Sequence, residues 1–314
     1  MPVITNSVLD GLRTTFEASF WNIFEGTPQW YDKLCSVIPS SSKSNTYGWL
    51  MNSIFLREWL GARVIQNLQE HEYALVNKLW ESTVELKRTD VEDDNLGVFA
   101  AMTMPNMAQS AKKHPDIRAA ARIRENGTAF DSKAFFATDH PTYNTSGSGA
   151  TTYSNLFTSR ALTADNLNYV RSTMGAYIGE NGYPLGVRGA LLVVPPQLEL
   201  AAMTIAHSTT YAIPTQGGGI GPTTAMATVD NAMRGWFDVL VVPELSVDAD
   251  TWYLADVSKP IKPLIFQPRL ETELVARFNP DDPLVFSLDT YAWGTRARYE
   301  VGYTVPYLMA KASA

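Results

Sequence analysis

Four histidines, one cysteine and a short run of carboxylates are the side chains on which catalysis or metal binding would rest. The histidines are His71, His114, His140 and His207. None stands in an HExxH pair, or beside another His or Cys at the spacing of a metal site. Asp139 precedes His140, an acid–imidazole pair of the type that orients a general base. Pro141 follows directly, so the plainer reading is a turn ahead of a strand or loop. Cys35 has no basic or histidine neighbour in sequence to lower its thiol pKa, which makes it a packing residue rather than a nucleophile. No serine lies in a GxSxG elbow.

The glycines Gly217, Gly218, Gly219 and Gly221 invite a phosphate-cradle reading. A P-loop needs Lys and Ser/Thr after the glycines, whereas Pro222 and two threonines follow here. The run reads as a loop. Asp90, Glu92, Asp93 and Asp94 offer oxygen ligands to a divalent cation. They lack calcium-loop spacing, and an acidic helix N-terminus accounts for them more simply. Asn126 and Asn144 open glycosylation sequons that carry weight only in a secreted chain. No catalytic residue, cofactor site or metal site is expected.

The elements around these residues set the rest. A chain of 314 residues with 45% apolar side chains buries a large core, as one large or two ordinary domains. Its formal charge of −7 gives no basic face for gripping nucleic acid. A single cysteine excludes an internal disulfide. The opening MPVITNSVLDGL shows neither a basic nor an apolar signal region, so a non-secreted protein is expected. The apolar run Ala190 to Pro196 falls far short of the roughly 20 residues of a membrane helix.

Residues 7 to 24 predict an amphipathic helix. Val8, Leu12, Phe16, Phe20 and Phe24 make an i, i+4 ladder, and Ser7 with Asp10 a capping box. The ladder suits a core helix or an arm docked on another subunit. The breaker at Gly26 to Pro28 and the polar stretch Pro39 to Ser44 favour the arm. A helix is expected from Asn95 to Arg124, interrupted at Pro105 and Pro115 and stopped by Asn126–Gly127. Residues 141 to 159 read as a polar loop and internal boundary. A helix from Thr163 to about Ile178 follows. Gly189 to Pro196 and Asp238 to Leu245 read as two buried strands, with a helix (Gln197 to Ala206) and a loop (Pro214 to Pro222) between them. Trp252 to Asp256 and Leu264 to Gln267 are further strands, and the chain ends in a strand-like stretch.

The segment Asn45 to Phe99 stands apart. Large apolar groups and charges alternate so evenly that burial in its own domain would strand charges at a cost of several kcal/mol each. It is also too apolar for a solvated linker. An arm lying across a neighbouring subunit satisfies both demands. By periodicity, residues 54 to 90 fit helix and strand about equally.

The wording of this segment resembles the Mu-like major head subunit family of tailed phages. The pieces are YGWL (Tyr47 to Leu50), REWLGARVIQ (Arg57 to Gln66) and EDDNLGV (Glu92 to Val98). The likeness returns at Phe135 to Pro141, Leu191 to Ala202 and the C-terminal TRARYEVGYTVPYLMAKA. It implies an α+β, Hong Kong 97-type capsid fold. The parts would be an N-terminal arm (1–45), an extended loop (46–88), a peripheral domain with a long spine helix (89–162), an axial domain (163–257) and a return to the peripheral domain (258–314). The loop would be two-stranded, with its turn near Gln66 to Glu72 and a strand after it. The resemblance also implies a virion shell protein, assembled in the host cytoplasm as hexamers and pentamers. Its partners would be a separate scaffolding protein, a portal, a possible decoration protein and packaged DNA held without sequence-specific binding. The intersubunit candidates are Phe16, Phe20, Arg57, Glu58, Trp59, Leu60, Arg63, Glu70, Glu72 and Trp80. Two other readings are an encapsulin-like nanocompartment shell and a small α/β enzyme with metal near Glu92 to Asp94.

Overall fold

The computed structural model describes residues 6–50, 70–89, 102–142, 151–179, 184–215, 225–277 and 282–314. The chain opens with α1 (Asn6–Gly26), the single turn α2 (Tyr31–Leu34) and β1 (Cys35–Val37). Next come β2 (Ser44–Leu50), β3 (Glu70–Val76), β4 (Lys78–Lys87) and the long helix α3 (Met104–Glu125). Short strands β5 (His140–Thr142), β6 (Thr151–Tyr153) and β7 (Leu156–Phe157) lead to α4 (Ala164–Gly175), β8 (Leu191–Val194) and α5 (Glu199–His207). The hairpin β9 (Thr210–Thr215) and β10 (Ala225–Asp230) precedes β11 (Asp238–Val241) and β12 (Thr251–Ala255). The chain closes with β13 (Leu264–Arg277), α6 (Pro283–Leu288), β14 (Thr290–Tyr303) and β15 (Met309–Ser313).

Two sheets organise the core. One has the order β11-β8-β12-β15-β7, the other β1-β13-β14-β4. β8 and β11 pair in parallel, and each of the four residues Leu191 to Val194 is buried. This strand is covered on both faces, which is why its sequence is a continuous apolar run. Leu191, Val193 and Tyr253 face Ala119, Ala120 and Ile123 of α3. Leu192, Val194, Trp252 and Leu254 face Leu167, Val170 and Met174 of α4 and Ala202 and Ala206 of α5. β7 and β15 belong to this same sheet, so the boundaries expected at 162 and 258 cut through it rather than around it.

The structure corrects two expectations for the helices. α3 runs without a break past both prolines. Pro105 sits in its first turn, where a missing N–H leaves no bond unmade, and Pro115 is buried inside the helix. Asn126 ends it in the left-handed conformation, φ 46°.

The second correction concerns α1, expected to dock on a neighbour through Phe16 and Phe20. Both side chains are fully buried on their own chain, with Met104, Met107, Tyr291 and Trp293. Phe16 meets Trp293 edge-on at 5.3 Å between ring centroids. The apolar stripe needs a cover, and α3 and β14 supply it. Leu34 and Cys35 are likewise core residues, and β1 pairs with β13, so residues 31–37 are part of the body rather than of an arm.

Strand prevails over helix at residues 70–87. β2 and β3 form an antiparallel ribbon, from Ser44 opposite Val76 to Leu50 opposite Glu70. Glu70 to Glu72 lie in β3, not in a turn; the connection falls within residues 51–69, outside the described residues. The β9–β10 hairpin was not anticipated, because Pro214 to Pro222 drew attention to the loop and away from its flanks.

Candidate assembly surface

The β2–β3 ribbon meets the body at a root built from buried polar groups. β3 passes through Asn77 directly into β4, which pairs with β14 over ten residues, Lys78 opposite Tyr299 to Lys87 opposite Thr290. At the junction the Asn77 side chain donates to Ser40 Oγ and to the Ser42 carbonyl, both at 3.0 Å. Gln267 of β13, fully buried, donates to Asn77 Oδ1 at 2.8 Å and to the Leu75 carbonyl at 3.3 Å. The polar stretch Pro39 to Ser44, expected to let an arm move away from the body, is therefore a hydrogen-bonded turn. Gly302 lets the ribbon come close: a Cβ there would meet Leu75 Cδ2 at 2.9 Å and Tyr73 Cε1 at 3.1 Å.

An ionic cluster ties the root to α3. Glu300 of β14, 1% exposed, lies 3.1 Å from Lys78 Nζ, 3.1 Å from Arg118 Nη2 and 3.7 Å from Arg122 Nη2. Burial alone would push its carboxyl up. The Val301 amide and the two guanidiniums outweigh that and hold it below the usual carboxylate range. Arg118 also stacks over Trp80, 5.1 Å from the ring centroid. Beside the junction, Val76 is 49% and Leu79 63% exposed, so these apolar side chains are left largely uncovered among the described residues.

The predicted site residues separate into groups. Trp80 is half-buried at the root of the ribbon, Glu72 is exposed on β3 opposite Gly48, and Glu70 opens β3. Phe16 and Phe20 are spent on the chain's own core. Arg57, Glu58, Trp59, Leu60 and Arg63 lie outside the described residues, as do Asp90 to Asp94. Sequence reasoning missed Glu300, Arg118, Arg122 and Gln267. The spacing of Arg118 and Arg122, one turn apart on a helix, was the available signal.

The chemistry-bearing residues are held in structural bonds. His140 is fully buried, with Nδ1 2.6 Å from Asp131 and Nε2 3.1 Å from Asn155 Oδ1. Its carboxylate partner is thus Asp131, while Asp139 pairs with Lys133. Burial pushes the Cys35 thiol far up. Among the described residues no group of three His, Cys, Asp or Glu side chains is placed to hold a metal, and no helix is long and apolar enough to cross a membrane.

A family model described as Mu-like prophage major head subunit gpT matches residues 9–161, 156–245 and 241–314. The chain belongs to that family. It is 28% identical over 304 residues to the major capsid protein of Escherichia phage Mu, covering 96% of this chain and 72% of that protein. It is 25% identical to the Mu-like prophage FluMu major head subunit of Haemophilus influenzae, with the same coverage. A chain from the procapsid of bacteriophage JBD30 superposes with a TM-score of 0.60 at 31% identity, covering 99% of this chain and 76% of that one. A chain of Mycobacterium phage Patience, at 12% identity and a TM-score of 0.50, shares the fold. The Mu-like head subunit is thus a major capsid protein of a tailed phage or prophage, with the Hong Kong 97-type fold and a place in the icosahedral virion shell.

Proposed function

We propose that this subunit works by geometry alone, without catalysis, and that the β2–β3 ribbon is the extended loop laid across a neighbouring copy. The observation that carries this is the ribbon's construction. It is fixed to the body at one end by buried polar bonds, while Val76 and Leu79 beside that end remain exposed. Exposed apolar side chains next to a fixed root are what a subunit contact needs. On this reading Trp59 and Leu60 anchor in the neighbour, Arg57, Glu58, Arg63, Glu70 and Glu72 pair with its charges, and Trp80 backs the root. Hexamers and pentamers of the subunit would close around packaged double-stranded DNA in the host cytoplasm, with portal, scaffolding and decoration functions supplied by other chains. The overall charge of −7 suits a wall that does not trap the packed polymer.

The peripheral body would comprise α1 to β4, α3 and β13 to β14. The axial part would comprise α4 to β12, with β7 and β15 completing its sheet. The test is Trp59→Ala in the full chain, followed by sedimentation and electron microscopy. The expected result is a folded, soluble subunit that forms no closed particles; normal shells from this variant would overturn the ribbon assignment.

A further inference from the structure

One titratable side chain sits where the root of the ribbon meets α3. His114 of α3 lies between Trp80 of β4 and Tyr299 of β14. Its ring centroid is 4.5 Å from that of Trp80, and its Nδ1 is 2.5 Å from the Tyr299 hydroxyl. Trp80 closes the triangle by donating from Nε1 to the Tyr299 carbonyl at 3.1 Å. The three border a cavity of about 90 Å³ that is also lined by the small side chains of Ser110, Ala111 and Ala297. Close packing therefore does not lock this part of the interface, and the side chains have room to move. β4 continues directly into β3, so whatever holds Trp80 also sets the angle at which the ribbon leaves the body.

We propose that His114 is a pH-sensitive latch, which in its neutral form holds Trp80 and the ribbon root against α3 and on protonation lets them go. A neutral imidazole accepts the Tyr299 O–H at Nδ1. Tyr299 has that proton to give, because burial pushes its hydroxyl well up. An imidazolium has two donors and no acceptor: its Nδ1–H can only donate to the Tyr299 oxygen, so the Tyr299 O–H must turn away from His114 and loses its acceptor there.

The charges around the ring work in the same direction. On α3 the neighbour is Arg118, a second cation. On β14 they are Tyr299, Glu300 and Arg296, and on β4 Lys78 and Glu81. From β13 the contributors are the uncharged Thr272 and, next to it, Glu273, which pairs with Arg296 at 3.1 Å. Glu300 attracts a charged ring but is already shared among Arg118, Arg122 and Lys78, while Glu81 and Arg296 are of opposite sign. A cation against the Trp80 face gains some attraction. Desolvation, and after it Arg118, prevail and hold the His114 pKa below its ordinary value. The latch is therefore fully closed above the ordinary histidine pKa of about 6.5 and opens as the pH falls below it. The inference concerns the single subunit and holds whichever surface the ribbon meets.

Hydrogen exchange and imidazole NMR on the full-length subunit test it. After correction for intrinsic rates, amides of Asn77 to Ser82 should exchange faster at pH 5 than at pH 7.5, by at most about tenfold for each unit by which His114 titrates lower in the closed state. The increase should share its midpoint with the His114 ring signal. His114→Gln, which keeps polar groups near Tyr299 but takes up no proton, should remove the step. Retention of the step in this variant would overturn the latch, and so would a wild-type midpoint that follows carboxylates instead of His114. Should the variant fail to fold, the wild-type comparison of the two midpoints still decides.

Discussion

The Tyr47 hydroxyl donates to the Gln267 side-chain oxygen at 2.5 Å, and this one bond ties the first strand of the ribbon to a carboxamide buried in the body's sheet. The amide end of the same side chain holds the second strand through Leu75 and Asn77. Gln267 thus clasps both strands at once. Tyr47→Phe leaves its buried oxygen without a partner and should cost about 1–3 kcal/mol. Chemical denaturation of the single subunit reads this directly. An unchanged midpoint would show that the clasp does not bear on stability.

Phe20 should behave as a core residue. Its ring is fully buried and stacks with Phe24 at 5.8 Å between centroids. Phe20→Ala should lose about 3–5 kcal/mol, a large part of the 5–15 kcal/mol typical of a domain. Deleting residues 1–25 should accordingly unfold or aggregate the chain rather than yield a folded subunit that cannot assemble. Circular dichroism and light scattering distinguish the two outcomes.

Much of the fold was legible because its signals are local. Leu191 to Val194 is buried on both faces and reads as an unbroken apolar run; Asn126–Gly127 stops α3 where a left-handed residue is needed. What misled was tertiary. An i, i+4 ladder reports that Phe16 and Phe20 need a cover but not that α3 and Trp293 of the same chain provide it. Pro115 looks like a break until the packing around it holds the helix together. β7 from the middle of the chain and β15 from its last residues join the sheet of β8, β11 and β12, and no local pattern carries that pairing. At the ribbon root, Glu300 looked like one charge in an alternating strand, because its three cationic partners lie far from it in sequence.

Cys35 should be silent to thiol reagents in the native state. It is 2% exposed, and burial raises its thiol well above the ordinary value, so almost no thiolate exists at neutral pH. Labelling should appear only with denaturant and follow global unfolding. Rapid labelling of the folded subunit would mean that β1 leaves β13 locally.

Gly302→Ala should displace the ribbon. The new methyl would meet Leu75 and Tyr73 at 2.9 and 3.1 Å, and Leu75 is itself buried. Overpacking of this kind costs about 1–3 kcal/mol. Because the strain falls between ribbon and body, faster amide exchange in Tyr73 to Asn77 should accompany the loss. Exchange confined to other segments would place the strain elsewhere.

Glu300 should make the joint between ribbon and body sensitive to acid. Its folded pKa lies below the unfolded value, so the cluster contributes fully at pH above the ordinary glutamate pKa of about 4.3. That contribution is lost as the pH falls through the lower, folded pKa. Glu300→Gln keeps the shape of the side chain but leaves Arg118 and Arg122 with only Glu125, 44% exposed, as a counter-charge. Removing one partner from a buried ion pair costs about 3–5 kcal/mol. The variant should lose most of that at pH 7 and progressively less as the pH falls below the ordinary glutamate value toward the lower, folded pKa, where the wild-type carboxyl itself becomes protonated. Urea melts across this pH range measure the difference. An equal loss throughout would assign the role of Glu300 to packing and not to charge.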